Sequence, residues 1–293
     1  MDTKLETNSK IIIPGKNPPA YRLDTLWFAY MNNVRDFQKL ESIVFKYAGM
    51  QELNLGITVT SKCFDVRYKE FKTLKTLNEI CHANGAKTSL HLSQYTIGHY
   101  LCSNGNKNIP PKQLVTLANS ADVVVLNHGL NNAMYVLNWD KIDKLANYTK
   151  DGLIHLIDPG ADFSPDLIRN VSNQGVMIEP SFHNQNVPVQ KTDDLVAAKM
   201  KDAYITGLRT AAKYGTDRKF VICGYIGPDN IGEVLDTAES EMSPEINSYG
   251  VCIHKSILTS GTSPRRPVDL NRFESTIART QEWKQNQIET IAK

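Results

Sequence analysis

Imidazoles, carboxylates and an amine gathered at the ends of short apolar runs give this chain its chemical potential. Five of the seven histidines lie in or just after such runs: His91, His128, His155, His183 and His254. Asp158 ends the run that holds His155, Glu179 ends the next, and Lys255 follows His254. Imidazoles change charge near neutral pH, so such a set can pass protons to and from a bound molecule. The candidate catalytic residues are Glu179, His91, His128 and Asp158. Bland roles compete for some of these positions. His155 sits early in its run and can face a helix, and Asp158 precedes Pro159-Gly160 and can cap a turn. Glu179 directly follows Val176-Met177-Ile178, where burial at a cavity mouth would raise its pKa toward a useful value.

A second kind of chemistry is written in Phe220-Val221-Ile222-Cys223-Gly224-Tyr225-Ile226-Gly227-Pro228-Asp229-Asn230. Gly224 and Gly227 let the backbone approach a ligand closely, and Pro228 suits a helix start because its missing N–H costs nothing there. The amides of a new helix then seat an anion, phosphate above all. Gly224, Gly227 and Asn230 are the candidate phosphate contacts, joined by His254, Lys255 and Ser256 from the segment around 254.

These groups need a scaffold that aims them at one place. Eight apolar runs can be counted: Leu26 to Met31, Leu55 to Val59, Thr88 to Leu92, Val123 to Asn127, Leu153 to Ile157, Val176 to Ile178, Phe220 to Cys223 and Gly250 to Ile253. Amphipathic helical patterns alternate with them: Val34 to Tyr47, Tyr68 to Asn84, Lys112 to Ser120, Trp139 to Tyr148, Pro165 to Val171, Asp193 to Tyr214, Asp229 to Ala238 and Asp269 to Ala292. Short runs rich in Val, Ile and Leu without strict alternation suit strands covered on both faces. Strand then helix, eight times, predicts an α/β fold, a single (β/α)8 TIM barrel, whose reactive groups collect at the C-terminal strand ends. The rival, a doubly wound open sheet, is disfavoured because Tyr30-Met31-Asn32-Asn33 carries no glycine fingerprint for a dinucleotide. Residues 1–20 read as an N-terminal arm and 21–293 as the barrel.

Composition excludes whole classes. The chain has 293 residues, 41% hydrophobic and 22% charged, with a formal charge of only +2. That balance lacks the cationic surplus that nucleic-acid backbone binding requires. No apolar run approaches the roughly 20 residues of a membrane span, and the N-terminus is not a targeting peptide. Cys63, Cys81, Cys102, Cys223 and Cys252 are odd in number, with no CxxC pair, and read as reduced thiols of a cytoplasmic protein. The outer helix faces leave a homo-oligomer open.

Three segments resemble phosphoribosylanthranilate isomerase. Gly224 to Asn230 is similar to that family's Gly-Gly-Leu-x-Pro-Glu-Asn segment. Ala121-Asp122-Val123-Val124-Val125-Leu126-Asn127-His128-Gly129 is similar to its Ala-Asp-x-Val-Gln-Leu-His-Gly fourth strand. Tyr249 to Ser256, with Pro267-Val268-Asp269 and Phe273, resembles its closing strand and last helix. The matches keep the family's order over residues 121 to 280. The resemblance implies a barrel that isomerises a phosphoribosyl amine to a ketose, and it places the family's acid on Glu179. The family's strand-one cysteine base has no counterpart in Trp27 to Asn32, and its Ser-Ser-Gly is replaced by His254-Lys255-Ser256. The expectation is therefore an isomerase-like enzyme acting on a phosphorylated sugar or phosphoribosyl compound by proton transfer beside a carbonyl, with no cofactor and no metal. Two alternatives stand beside it. One is a metal-dependent epimerase or hydrolase using the strand-end histidines, since Ser89-Leu90-His91-Leu92 resembles the third strand of ribulose-phosphate epimerases. The other is a catalytically inactive ligand-binding barrel.

Overall fold

The computed structural model describes residues 21–59, 67–93, 112–127, 139–157, 175–178, 220–223, 226–242, 246–259 and 266–291. Eight strands run through them: β1 (Leu23–Phe28), β2 (Glu52–Val59), β3 (Lys87–Leu92), β4 (Val123–Asn127), β5 (Leu153–Ile157), β6 (Gly175–Ile178), β7 (Phe220–Cys223) and β8 (Tyr249–Ile253). Each pairs in parallel with the next, and β8 pairs back onto β1 with Leu26 opposite Val251 and Phe28 opposite Ile253. The sheet is therefore a closed eight-stranded barrel, the architecture that the sequence rhythm predicts.

The boundaries of β4, β5 and β7 coincide with the apolar runs. β1 does not. The run Leu26 to Met31 predicts a strand that ends at Met31, whereas the ladder covers Leu23–Phe28 and Met31 lies in a 3-10 turn, Met31–Asn33. Met31 is fully buried in that turn, so apolarity marked burial rather than strand. Where β1 leaves the sheet, the Asn32 side chain takes over its hydrogen bonding. Its amide donates to the Thr58 carbonyl at 2.8 Å, and its oxygen accepts from the Thr58 amide at 2.9 Å.

The described helices are α1 (Phe37–Tyr47), α2 (Arg67–Ala83), α3 (Lys112–Asn119), α4 (Trp139–Ala146), α5 (Ile231–Glu241) and α6 (Leu270–Ile291). In α1, Asp36 caps the first turn by accepting from the Lys39 amide, and Leu40, Ile43, Val44 and Tyr47 form one buried stripe at helical spacing. Asp269 starts α6 by accepting from the amides of Asn271 and Arg272. Phe273 of α6 then meets Phe28 of β1 edge-on, ring centroids 4.4 Å apart. The arm 1–20 and the expected helices Pro165 to Val171 and Asp193 to Tyr214 lie outside the described residues. Among those described, no helix is long and apolar enough to cross a membrane.

The core has two layers, set by the two-residue period of the strands. Leu26, Phe28, Leu53, Leu55, Ile57, Leu90, Leu92, Val124 and Leu126 face outward and pack with the helices. Trp27, Ala29, Val123, Val125, Ile154, Leu156, Met177, Val221, Cys223 and Cys252 fill the barrel itself. Each large side chain so buried contributes about 1.5–3 kcal/mol relative to exposure.

Asp122, just before β4, ties the N-terminal end of the barrel together. Its carboxylate accepts from the Thr88 amide at 2.8 Å, from His82 of α2 at 2.9 Å and from Lys150 at 3.3 Å. Its carbonyl accepts from the Asp151 amide ahead of β5. Burial alone would raise the Asp122 pKa, but the hydrogen bonds from His82 and Thr88 outweigh it and hold the carboxyl below its ordinary value. A group with a depressed folded pKa stabilises the fold above its unfolded pKa, near 3.9, and that contribution is lost as pH falls through the folded value. Asp122→Asn is accordingly expected to cost about 1–2 kcal/mol in urea denaturation at neutral pH. The difference from wild type should shrink in acid, and an equal loss at both pH values would contradict this account.

Candidate functional site

Closure of the barrel decides which side chains reach its interior. On β3, Leu90 and Leu92 belong to the outer layer, so Ser89 and His91 point inward. Both are buried, with Ser89 Oγ 3.1 Å from His91 Nε2. Gly56 on β2 makes room for them. A Cβ at that position would come within 2.5 Å of Ser89 Oγ and 2.9 Å of the His91 ring. Burial first, then the neighbouring His254, drives the His91 pKa down to about 3. Near neutral pH the ring thus offers a lone pair and an N–H rather than a charge.

Across the interior, β7 and β8 bring three more groups together. Cys252 and His254 are two residues apart on β8 and its continuation, and so share the inward face. Cys223 stands opposite Cys252 in the parallel register. The Cys223 sulfur lies 2.9 Å from His254 Nε2 and 3.6 Å from Nδ1. Tyr30 packs edge-on against the His254 ring at 5.4 Å, and the His91 ring lies 6.3 Å away. All of these residues sit toward the C-terminal strand ends, the rim where barrel enzymes carry their reactive groups.

The glycine turn after β7 lies on the same rim. Gly227 donates its amide to Asn230 Oδ1 at 2.9 Å, so Asn230 braces the turn and its side chain does not cap α5. Ser256, in the 3-10 turn Lys255–Ile257, donates its hydroxyl to the Ile226 carbonyl. Its Oγ and Cβ lie 2.7 Å from where a Gly227 Cβ would be, so only glycine fits there. Arg272 of α6 completes the cluster. Its Nε donates to the Ser256 carbonyl at 2.6 Å, and its Nη2 pairs with Asp229 at 2.7 Å. That ion pair is partly exposed, with Asp229 largely in solvent, so it is weak and exchangeable.

Of the residues expected from sequence, the structure thus brings His91 and His254 to one interior, and Gly227, Asn230 and Ser256 to two adjoining turns at its strand-end rim. His254 faces Cys223 and Tyr30. Glu179, His128, Asp158 and Gly224 lie outside the described residues, as does the side chain of Lys255. His155 faces the helix layer, since its neighbours Ile154 and Leu156 fill the barrel. Cys223, Cys252 and Arg272 were missed as candidates. The two cysteines could have been found from strand parity, because Cys252 and His254 share a face. Arg272 carries no such mark in the sequence.

No family model and no curated protein matches this chain. Solved structures do. A truncated 3-deoxy-D-arabino-heptulosonate 7-phosphate synthase from Thermotoga maritima aligns with a TM-score of 0.51 at 12% identity, over 92% of this chain and 89% of its own. The tryptophan synthase alpha chain from Legionella pneumophila subsp. pneumophila aligns with a TM-score of 0.50 at 10% identity, over 91% and 92%. At such identities the likeness establishes the barrel fold and leaves the isomerase resemblance resting on the sequence motifs.

The tight seat of His91 has a measurable consequence. Gly56→Ala is expected to cost about 1–3 kcal/mol by overpacking and to shift the His91 imidazole resonances. Unchanged stability together with an unchanged His91 spectrum would contradict this packing.

Proposed function

We propose that this chain is a barrel enzyme acting on a small phosphorylated compound of the sugar or ribosyl class, moving a proton beside its carbonyl. The observation that carries the reading is the pair of braced turns that hold Gly227, Asn230 and Ser256, with Arg272 against them, on the strand-end rim of the barrel whose interior holds His91. A phosphate at the start of α5 would meet helix amides and could draw the Arg272 guanidinium away from solvent-exposed Asp229. The loops after strands seven and eight are the recurrent phosphate seat of barrel enzymes. The name of the Thermotoga synthase includes a sugar 7-phosphate, which is in keeping with this class.

His91 would hydrogen-bond the carbonyl oxygen and polarise it. Glu179, the residue after β6, would move the proton, with His128 and Asp158 following β4 and β5 as further candidates. The isomerase resemblance favours an aldose-to-ketose rearrangement, with Glu179 in the place of that family's acid.

Thermal denaturation against paired phosphorylated and unphosphorylated sugars tests the substrate class, since a ligand that binds only the folded state raises Tm by mass action. Stabilisation by the phosphorylated member alone is expected, and Arg272→Gln should weaken it by roughly 10- to 100-fold, the worth of a charge-assisted contact. Glu179→Gln should keep ligand binding and lose turnover. A flat response to every phosphorylated ligand would defeat the reading.

A further inference from the structure

The proposed proton transfer leaves two buried thiols and one buried imidazole without a task. Cys223, Cys252 and His254 present one donor atom each, and these atoms all lie within 4.8 Å of one another. The arrangement follows from the barrel: the parallel register sets Cys223 beside Cys252, and the strand period sets His254 above Cys252 on the same face.

A tetrahedral zinc ion holds thiolate sulfur at about 2.3 Å and imidazole nitrogen at about 2.0–2.1 Å, which places its sulfurs about 3.8 Å apart and sulfur and nitrogen about 3.6 Å apart. The Cys223 sulfur lies 3.6 Å from His254 Nδ1, which matches that span, and 2.9 Å from Nε2, which is shorter. The donor set fits the charge as well, because two thiolates neutralise a dication in an interior that would otherwise oppose burying it. Val221 and Met177 supply an apolar wall nearby in the same interior cluster.

We propose that Cys223, Cys252 and His254 form a three-donor site for a thiophilic divalent metal, zinc above all, inside the mouth of the barrel. Three protein donors leave a fourth position for a small oxygen or sulfur ligand, the pattern of catalytic rather than structural zinc. His91 lies in the same interior, its ring 6.3 Å from that of His254. The inference does not rest on the phosphosugar reading, and its test reads metal rather than turnover, so either can fail alone.

The test is metal loading of the full-length protein after chelator treatment. Stoichiometric zinc uptake is expected. Cobalt(II) should give the thiolate charge-transfer and visible absorption of a tetrahedral sulfur-ligated ion. Cys223→Ser and Cys252→Ser should each lose the charge-transfer intensity and weaken zinc binding by roughly 100-fold or more, at least what loss of an outer-sphere partner costs. Cys81→Ala, on α2 in the outer layer, should leave the spectrum unchanged. Should a serine variant fail to fold by circular dichroism, the wild-type protein still decides. Zinc must then protect Cys223 and Cys252 from alkylation in peptide mapping. A cobalt spectrum indifferent to both serines, absence of stoichiometric uptake, or protection of neither thiol would each overturn the proposal.

Discussion

The ladder between β8 and β1 is the constraint on which everything else depends. An open parallel sheet has two covered faces and two edges, whereas a closed one has an inside of fixed volume. Once Leu26 is paired with both Leu53 and Val251, the parity of three strands is set together. A slip of one residue in any of them would turn its outward apolar residues into the lumen and its inward polar groups onto the helices. The cost of burying those polar groups among helices fixes the register as firmly as the apolar residues do.

The mouth inherits its order from that constraint. Ser89, His91, Cys252 and His254 are not brought together by loops of their own. They are successive inward positions on two strands, with Cys223 supplied by a third. Small residues then decide how closely they meet, since Gly56 admits the His91 ring and Gly227 admits Ser256. Loop residues add the outer tier, where Arg272 reaches back from α6 to hold the Ser256 carbonyl. At the opposite end, Asp122 performs a purely structural task. Its place in a motif resembling another family's fourth strand is explained by the bonds it makes to Thr88 and His82.

The architecture was legible in the sequence because parallel strands buried on both faces leave continuous apolar runs, and β4, β5 and β7 could be delimited to the residue. β1 was misplaced because Asp24 and Thr25 interrupt its apolar run, while Met31 extends that run beyond the ladder. The candidate site was legible where one residue sufficed to announce it, as with His91 and the glycine turn. It was hidden where the meaning lay in a pair. Cys223 and Cys252 are 29 positions apart in the chain, and only register makes them neighbours. Sequence spacing encodes metal sites held on one loop or helix, but not those assembled across strands.

The lining of the barrel is divided. β4, β5 and β6 contribute Val123, Val125, Ile154, Leu156 and Met177, all apolar. The side built by β1, β2 and β3 adds Thr25, Asn54, Ser89 and His91, all buried and polar, to Trp27 and Ala29. Over evolutionary time the two halves are open to different exchanges. The apolar half can drift among aliphatic residues provided that total volume is conserved. In the polar half, Ser89 and His91 must also answer to each other's hydrogen bond, so they diverge as a coupled pair and more slowly.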